Sequence, residues 1–182
     1  MTSPLAHAVS GYAIAKGLEP IKVYRVWQLA LYAVFVAIAA DFDFIPQIIL
    51  GIRTHRGFTH SLGFAILFSL VVGALSTGKA AFKTCNYLRL CTLTLLIYGS
   101  HLVLDFFTQG GSGIPILWPI SDARFHSAIS LFPAVHHSHG LFDSIHLLFI
   151  SFELTYTVIL LWGLSRWKGH KQHRKKSTVS LE

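Results

Sequence analysis

The stretch His55-Arg56-Gly57-Phe58-Thr59-His60-Ser61 places two imidazoles, a guanidinium and two hydroxyls directly before a long apolar run. Upstream, Asp41-Phe42-Asp43 ends another apolar run, and downstream lies His101-Leu102-Val103-Leu104-Asp105. Ionisable groups in membrane segments are costly and tend to be functional. The pattern therefore predicts a polar site where several hydrophobic helices end.

Composition indicates an integral membrane protein. The chain has 182 residues, of which 53% are hydrophobic and 13% charged, and its mean hydropathy is +0.56. Four apolar runs, at about 26–40, 58–78, 90–107 and 141–167, predict an all-α bundle with four spanning helices. Ser3-Pro4 predicts the start of a shorter N-terminal helix. A polar loop is expected after Asp41, with Pro46 as a helix breaker. We expect one embedded domain over 1–167 and a disordered basic tail over 168–182.

The distribution of basic residues predicts the orientation. Of the 15 lysines and arginines, all but Arg53, Arg56 and Arg124 flank the segment ends that belong to one side. The positive-inside rule assigns that side and the tail to the cytoplasm, so the polar site faces the periplasm or exterior. The net charge of +7 does not come from a basic face with interleaved aromatics, and a nucleic-acid partner is therefore not expected.

The spacing of the polar residues fits a metal site. His101 and Asp105 are four residues apart and share one helical face, as two ligands of a borderline metal such as zinc would. Asp41 and Asp43 are two apart and cannot share a face, so one could ligate while the other supports a histidine. His60 lies at the junction between loop and helix, where it or His55 could ligate, and Thr59 or Ser61 could cap the helix.

A metal at this position suggests hydrolysis. Bound divalent ions lower the pKa of their water to about 7. Asp41 or Asp43 could orient or deprotonate that water, and Arg56 could neutralise an oxyanion. Two alternatives remain open. One is a metal-binding protein or transporter without catalysis, in which Glu153, inside the last apolar run, could relay protons or metal. The other is a purely structural membrane protein.

Asp41-x-Asp43, the His-Arg-Gly-Phe-Thr-His-Ser string, His101-x-x-x-Asp105 and the following Leu117-Trp118-Pro119 together resemble the LexA-regulated, membrane-bound metal-dependent hydrolases. That family is regarded as distantly similar to zinc-dependent phospholipase C and P1-type nucleases, which are all-α proteins that cleave phosphoesters. The resemblance implies a bacterial inner-membrane location and ligand roles for the following residues: His7, Asp41 or Asp43, His55 or His60, His101 and Asp105.

The phospholipases also carry a His-x-x-x-Glu pair on a late helix. The nearest counterparts here are His139 with Asp143, or His146 with Glu153. We therefore expect one or two divalent ions, zinc first and manganese or magnesium as alternatives, rather than three. A lipid or another phosphoester amphiphile from the surrounding membrane is the expected substrate.

Overall fold

The computed structural model describes residues 3–18, 25–51, 56–77, 84–108, 112–132 and 144–179. Within these ranges regular structure is helical, and the only β pairing consists of isolated bridges between loops. The prediction of an all-α bundle is confirmed. The helices are α1 (Pro4–Leu18), α2 (Val26–Ile38), α3 (Phe44–Leu50), α4 (Leu62–Thr77), α5 (Thr84–Phe106) and α6 (Ser144–Val179), with 3-10 turns at Ala39–Asp43 and Phe58–His60.

Three segments are long and apolar enough to cross a membrane, namely Val26–Leu50, Asn86–Phe106 and Leu147–His170. The apolar segment Leu62–Ser76, the fourth that the sequence predicts, is shorter. It nevertheless runs antiparallel along α5, because Phe68 packs on Tyr98 while a Cβ at Gly73 would meet the sulfur of Cys91. The helix α4 therefore packs lengthwise against α5, and the four spanning helices that the sequence predicts correspond to three long segments and one shorter one.

The helices α1 and α2 approach each other closely through small residues. A Cβ at Gly11 would lie 2.7 Å from the Cβ of Ala37 and 2.8 Å from the carbonyl oxygen of Ala33. Small residues at helix contacts are typical of membrane bundles, where close packing replaces the hydrophobic effect as the main attraction. This contact brings the start of α1 beside the end of α2.

Two predictions of irregular structure were wrong. Pro46, predicted to lie in a polar loop, belongs to the first turn of α3, where its missing N–H has no helical partner to lose. The helix α3 ends at Gly51, whose φ of 68° is the left-handed value that glycine accepts most easily. At the other end of the chain, α6 continues to Val179 through the basic segment predicted to be disordered. Lysine and arginine are good helix formers, and adding residues to an existing helix avoids the cost of nucleation.

Candidate metal centre

Four side chains converge where α2 ends, α4 begins and α5 ends. Asp41, His60, His101 and Asp105 each offer one ligand atom, and these atoms all lie within 4.8 Å of one another. The Nε2 atom of His60 lies 3.7 Å from Asp41 Oδ1, 3.4 Å from Asp105 Oδ2 and 3.3 Å from His101 Nε2. The Nε2 atom of His101 lies 3.6 Å from Asp41 Oδ1 and 3.9 Å from Asp105 Oδ2. Tetrahedral zinc, with bonds of about 2.0–2.1 Å, holds its ligand atoms about 3.3–3.4 Å apart.

The backbone of α2 orients His101. Its Nδ1 lies 2.8 Å from the carbonyl oxygen of Ala37, in the last turn of α2. Carbonyls in the last turn of a helix have no partner within that helix, so this one is free to accept the Nδ1–H. The neutral imidazole then carries its lone pair on Nε2, the atom that faces the cluster. His101 therefore presents an acceptor atom to the cluster, as a metal ligand must.

Asp43 orients His60 in the same way. The Oδ2 atom of Asp43 lies 3.3 Å from His60 Nδ1, and it accepts the hydroxyl of Thr59 at 2.7 Å and the N–H of Gly57 at 3.2 Å. A carboxylate that holds the far nitrogen of a ligating histidine is the usual support of a metal site. The structure therefore places Asp41 toward the centre and Asp43 behind His60.

The end of the same motif starts α4. Ser61 accepts the N–H of Phe64 at 3.1 Å, so Ser61 rather than Thr59 is the capping residue. The N–H of Leu62 donates to the carbonyl of Ile116 at 3.0 Å. A Cβ at Gly63 would lie 2.6 Å from the carbonyl oxygen of Trp118, so only glycine lets this loop pass so close. These contacts hold the start of α4, which follows His60, against the loop that contains Ile116 and Trp118.

The electrostatics of the cluster require a positive charge at its centre. With both Nδ1 atoms hydrogen-bonded to acceptors, His60 and His101 point their Nε2 atoms at each other across 3.3 Å, between two carboxylates. His60 lies before the apolar helix α4, outside the candidate membrane spans. Burial by itself lowers the pKa of His60, but hydrogen bonds to Asp105, Asp41 and Asp43 outweigh burial and raise the pKa to about 10. A proton on His60 or a bound cation can supply the charge.

Asp105 joins this cluster to a second group of side chains. Its Oδ1 atom lies 3.2 Å from Arg56 Nη2 and 3.7 Å from His7 Nε2. The ring of His7 stacks on that of His101, with 3.8 Å between centroids and 20° between planes. His7 is buried and lies beside the four ligand atoms rather than among them. Its Nδ1 has no hydrogen-bond partner among the described residues.

The backbone of Arg56 is held in an unusual conformation. Its φ of 59° is left-handed, which costs a residue other than glycine roughly 1–2 kcal/mol. Arg124 donates to the carbonyl of Arg56 at 2.9 Å, to that of Gly113 at 3.0 Å and to that of Ser112 at 3.1 Å. Sequence reasoning missed this role of Arg124, and its only signal was that Arg124 is one of three basic residues on the side of the site.

The remaining predicted residues divide into two groups. Glu153 is buried, yet it lies away from the cluster, where its carboxylate accepts the N–H of Ser3 at 2.8 Å and also the Ser3 hydroxyl. It anchors the start of α1, the helix that carries His7. The backbone of His146 belongs to α6, and its side chain is outside the described residues, as are His55, His139 and Asp143.

Access to the cluster is one-sided. The side chains of His60 and His101 are fully buried and that of Asp105 is 2% exposed, whereas that of Asp41 is 21% exposed. Of these four side chains, that of Asp41 is therefore the most accessible to an approaching ion or water. Phe42 and Phe44, the nearest large side chains in sequence, are themselves exposed.

Comparison with known proteins places the chain in a family of membrane proteins. The inner membrane protein YbcI of Escherichia coli (strain K12) is 41% identical over 71 residues, which cover 39% of this chain and 39% of that protein. No solved structure matches the chain. The family model described as YdjM inner membrane protein matches residues 1–179. With its apolar helices, this match supports a location in the inner membrane, and the chain belongs to the YdjM inner membrane protein family.

Proposed function

We propose that this protein is a membrane-bound, metal-dependent hydrolase. The proposal is based on four side chains that each point a potential ligand atom at one centre: Asp41, His60, His101 and Asp105. Contacts of Nδ1 with Ala37 and Asp43 orient the two histidine rings. Nitrogen and oxygen donors at these separations suit zinc best, with manganese as an alternative. Asp43 supports His60, and His7 is a candidate for a second, weaker position beside Asp105.

A divalent ion held there would supply a water of pKa about 7 and a Lewis acid for the scissile bond. The residues of the chain do the rest. Asp41, the one partly exposed ligand, is placed to accept a proton from that water. Arg56 orients Asp105 through Nη2 and adds positive charge beside the position where an oxyanion would form.

The proposed substrate is a phosphoester of lipid-like character. The candidate centre lies at the ends of membrane helices, and the guanidinium of Arg56 suits an anionic group. The relation to zinc-dependent phospholipase C and the regulation by LexA rest on sequence resemblance alone. We further propose that the centre faces away from the cytoplasm, because most basic residues lie at the opposite helix ends.

A structural metal site is the second candidate. Structural zinc sites have four protein ligands, whereas catalytic ones keep a position open for water. The cluster offers four protein ligands, three of them buried, as a structural site would. A catalytic site would require that Asp41 leave the metal to a water molecule, or that the metal accept a fifth ligand. Turnover of a phosphoester separates the two candidates, since both predict bound metal.

Metal content is the first test. We expect the detergent-purified protein to contain about one equivalent of zinc or manganese, and the variant His101→Ala/Asp105→Ala to lose it while remaining helical. The matched control is His126→Ala/Asp122→Ala, which removes the same two residue types from exposed positions. Equal metal content in both variants, or none in the wild type after loading, would remove the basis of the proposal.

Turnover is the second test. Loaded protein in vesicles is incubated with phospholipids and with soluble phosphoesters, and released phosphate or headgroup is measured by mass spectrometry. Metal-dependent release that Asp41→Asn abolishes, even when enough metal is added to saturate the variant, would establish a hydrolase. Bound metal without release from any phosphoester would favour the structural candidate.

A further inference from the structure

A cavity of about 580 Å³ lies on the face of α5 opposite the metal centre. Its walls come from α1, α5, α6, the first residue of α4 and the loop that follows α5, and they are almost entirely apolar. None of the four metal-ligand residues lines it. Its volume is typical of sites for small molecules, which are usually about 300–1,000 Å³. Residues that illustrate the lining are Leu96, Gly99, Val103, Phe106 and Leu160.

The cavity exists because the helix faces around it carry too little side chain to fill the space. A Cβ added at Gly99, in the wall formed by α5, would meet nothing within 4 Å. The polar groups of the lining are already engaged. The hydroxyl of Ser10 is bonded to that of Tyr156 at 2.7 Å, and the Ser100 hydroxyl donates to the carbonyl of Ile97 at 2.7 Å. An occupant would therefore need no polar groups along its length.

The dimensions of the cavity match one leaflet of a bilayer. Its wall on α5 extends from Leu95 to Phe107, which corresponds to about 18 Å at a rise of 1.5 Å per residue. Half of the hydrocarbon core of a bilayer is about 15 Å thick. Phe106 and Phe107 follow the ligand Asp105, so the cavity reaches the level of the metal centre at one end. At the other end, Ile14, Leu96 and Leu160 also line a second apolar cavity of about 620 Å³.

We propose that this cavity binds one acyl chain of a phospholipid from the leaflet on the side of the metal centre. An acyl chain is the narrow, wholly apolar molecule that a spanning helix bundle meets at high concentration, and its length is that of the cavity. The site does not depend on the proposed hydrolase activity, since it occupies a separate face of α5.

Photolabelling tests the proposal on the full chain in vesicles. The probe is phosphatidylglycerol with a diazirine at the end of one acyl chain, mixed at increasing mole fraction into phosphatidylethanolamine vesicles, and adducts are mapped by mass spectrometry. We expect adducts on Leu96 and Leu160 to saturate at low mole fraction. Adducts on Leu154 and Val158, which are exposed residues of α6 outside the cavity, should instead rise in proportion to the probe.

Filling the cavity should prevent this labelling. Gly99→Leu is expected to lower the adducts on Leu160 about tenfold, because the new side chain takes the space of several methylene groups that each contribute to binding. Gly169→Leu is the matched control, because its Cβ also meets open space but lies outside the cavity. Val103→Trp fills the same cavity from a more exposed wall position and decides the question if Gly99→Leu does not fold.

Two outcomes would overturn the proposal. One is labelling of Leu160 that rises in proportion to the probe, as expected of unspecific contact with the bilayer. The other is labelling that a folded cavity-filling variant leaves unchanged. Metal content is measured on the same samples, so loss of the hydrolase proposal and loss of the lipid site are separate results.

Discussion

At the scale of single residues, Asp43 explains most of the motif that follows it. Its carboxylate binds three groups of one short turn, the N–H of Gly57, the hydroxyl of Thr59 and Nδ1 of His60. The sequence predicts that one of Asp41 and Asp43 supports a histidine, but it does not say which, because both follow the same apolar run. The 3-10 turn at Ala39–Asp43 makes the difference, since it directs Asp41 toward the cluster and Asp43 toward the turn that carries His60.

Asp43→Asn keeps the shape of this side chain and removes its charge. We expect metal affinity to fall about 10–100-fold, the usual effect of losing the partner of a ligating histidine. The stoichiometry at saturating metal should stay the same, because the four ligand atoms remain. Competition with a chromogenic chelator measures the affinity. Asp122→Asn, at an exposed position, is the control, and equal affinities in the two variants would contradict the supporting role.

The raised pKa of His60, about 10, predicts how metal binding depends on pH. A metal must displace the proton of His60 at any pH below that value, so affinity should increase about tenfold per pH unit between pH 6 and 9. Without metal, a rise in pH lowers the stability of the fold instead. The contribution of the charged His60 imidazole to the free energy of unfolding is complete below about pH 6.5 and is lost as the pH rises through about 10. Calorimetry in buffers of different ionisation enthalpy counts the released protons, and release of none at pH 7 would exclude this displacement.

At the scale of elements, the contact between α1 and α6 links the two ends of the chain. The sequence offers Glu153 as a relay for protons or metal, because a carboxylate within an apolar run commonly has such a role. In the structure, the Glu153 carboxylate accepts two hydrogen bonds from Ser3 at the start of α1, where the helix dipole also favours a negative charge. Hydropathy along α6 could not reveal this role, since the partner lies 150 residues away in the chain.

Ser3→Ala, Glu153→Gln and their double variant test the link. We expect each single variant to lower the melting temperature in detergent, and the double variant to lower it by less than the sum, because both affect the hydrogen bond from the Ser3 hydroxyl to the Glu153 carboxylate. The coupling should be about 0.5–3 kcal/mol. Ser151→Ala is the control, since the Ser151 hydroxyl bonds only to its own helix at Leu148. Additive effects of Ser3→Ala and Glu153→Gln would contradict the link.

At the scale of the whole molecule, the sequence predicts the helices better than their junctions. The apolar runs predict α2, α4, α5 and α6, and the spacing of His101 and Asp105 predicts their shared face. The predictions fail for Pro46 and the basic tail, where local composition suggests a break but a preceding helix continues. The hydrogen bonds from Arg124 to three carbonyls could not be predicted either, because backbone acceptors leave no signal in the sequence.

The predicted orientation of the whole bundle can be checked with single cysteines. After Cys85 and Cys91 are replaced by serine, Asp122→Cys should react with a membrane-impermeant maleimide on intact spheroplasts. Lys175→Cys should react only after the membrane is broken, because the basic ends of the helices remain in the cytoplasm. The opposite pattern of labelling would place the metal centre in the cytoplasm.

The chain positions of the four ligands have a consequence for synthesis. Asp41 and His60 leave the ribosome well before His101 and Asp105, and at about 5–20 residues per second the delay between residues 60 and 101 is roughly 2–8 s. During that interval Asp41 and His60 are without His101 and Asp105, the other two residues of the cluster. The four ligand residues can therefore meet only when α5 has been synthesised, which is before α6 leaves the ribosome.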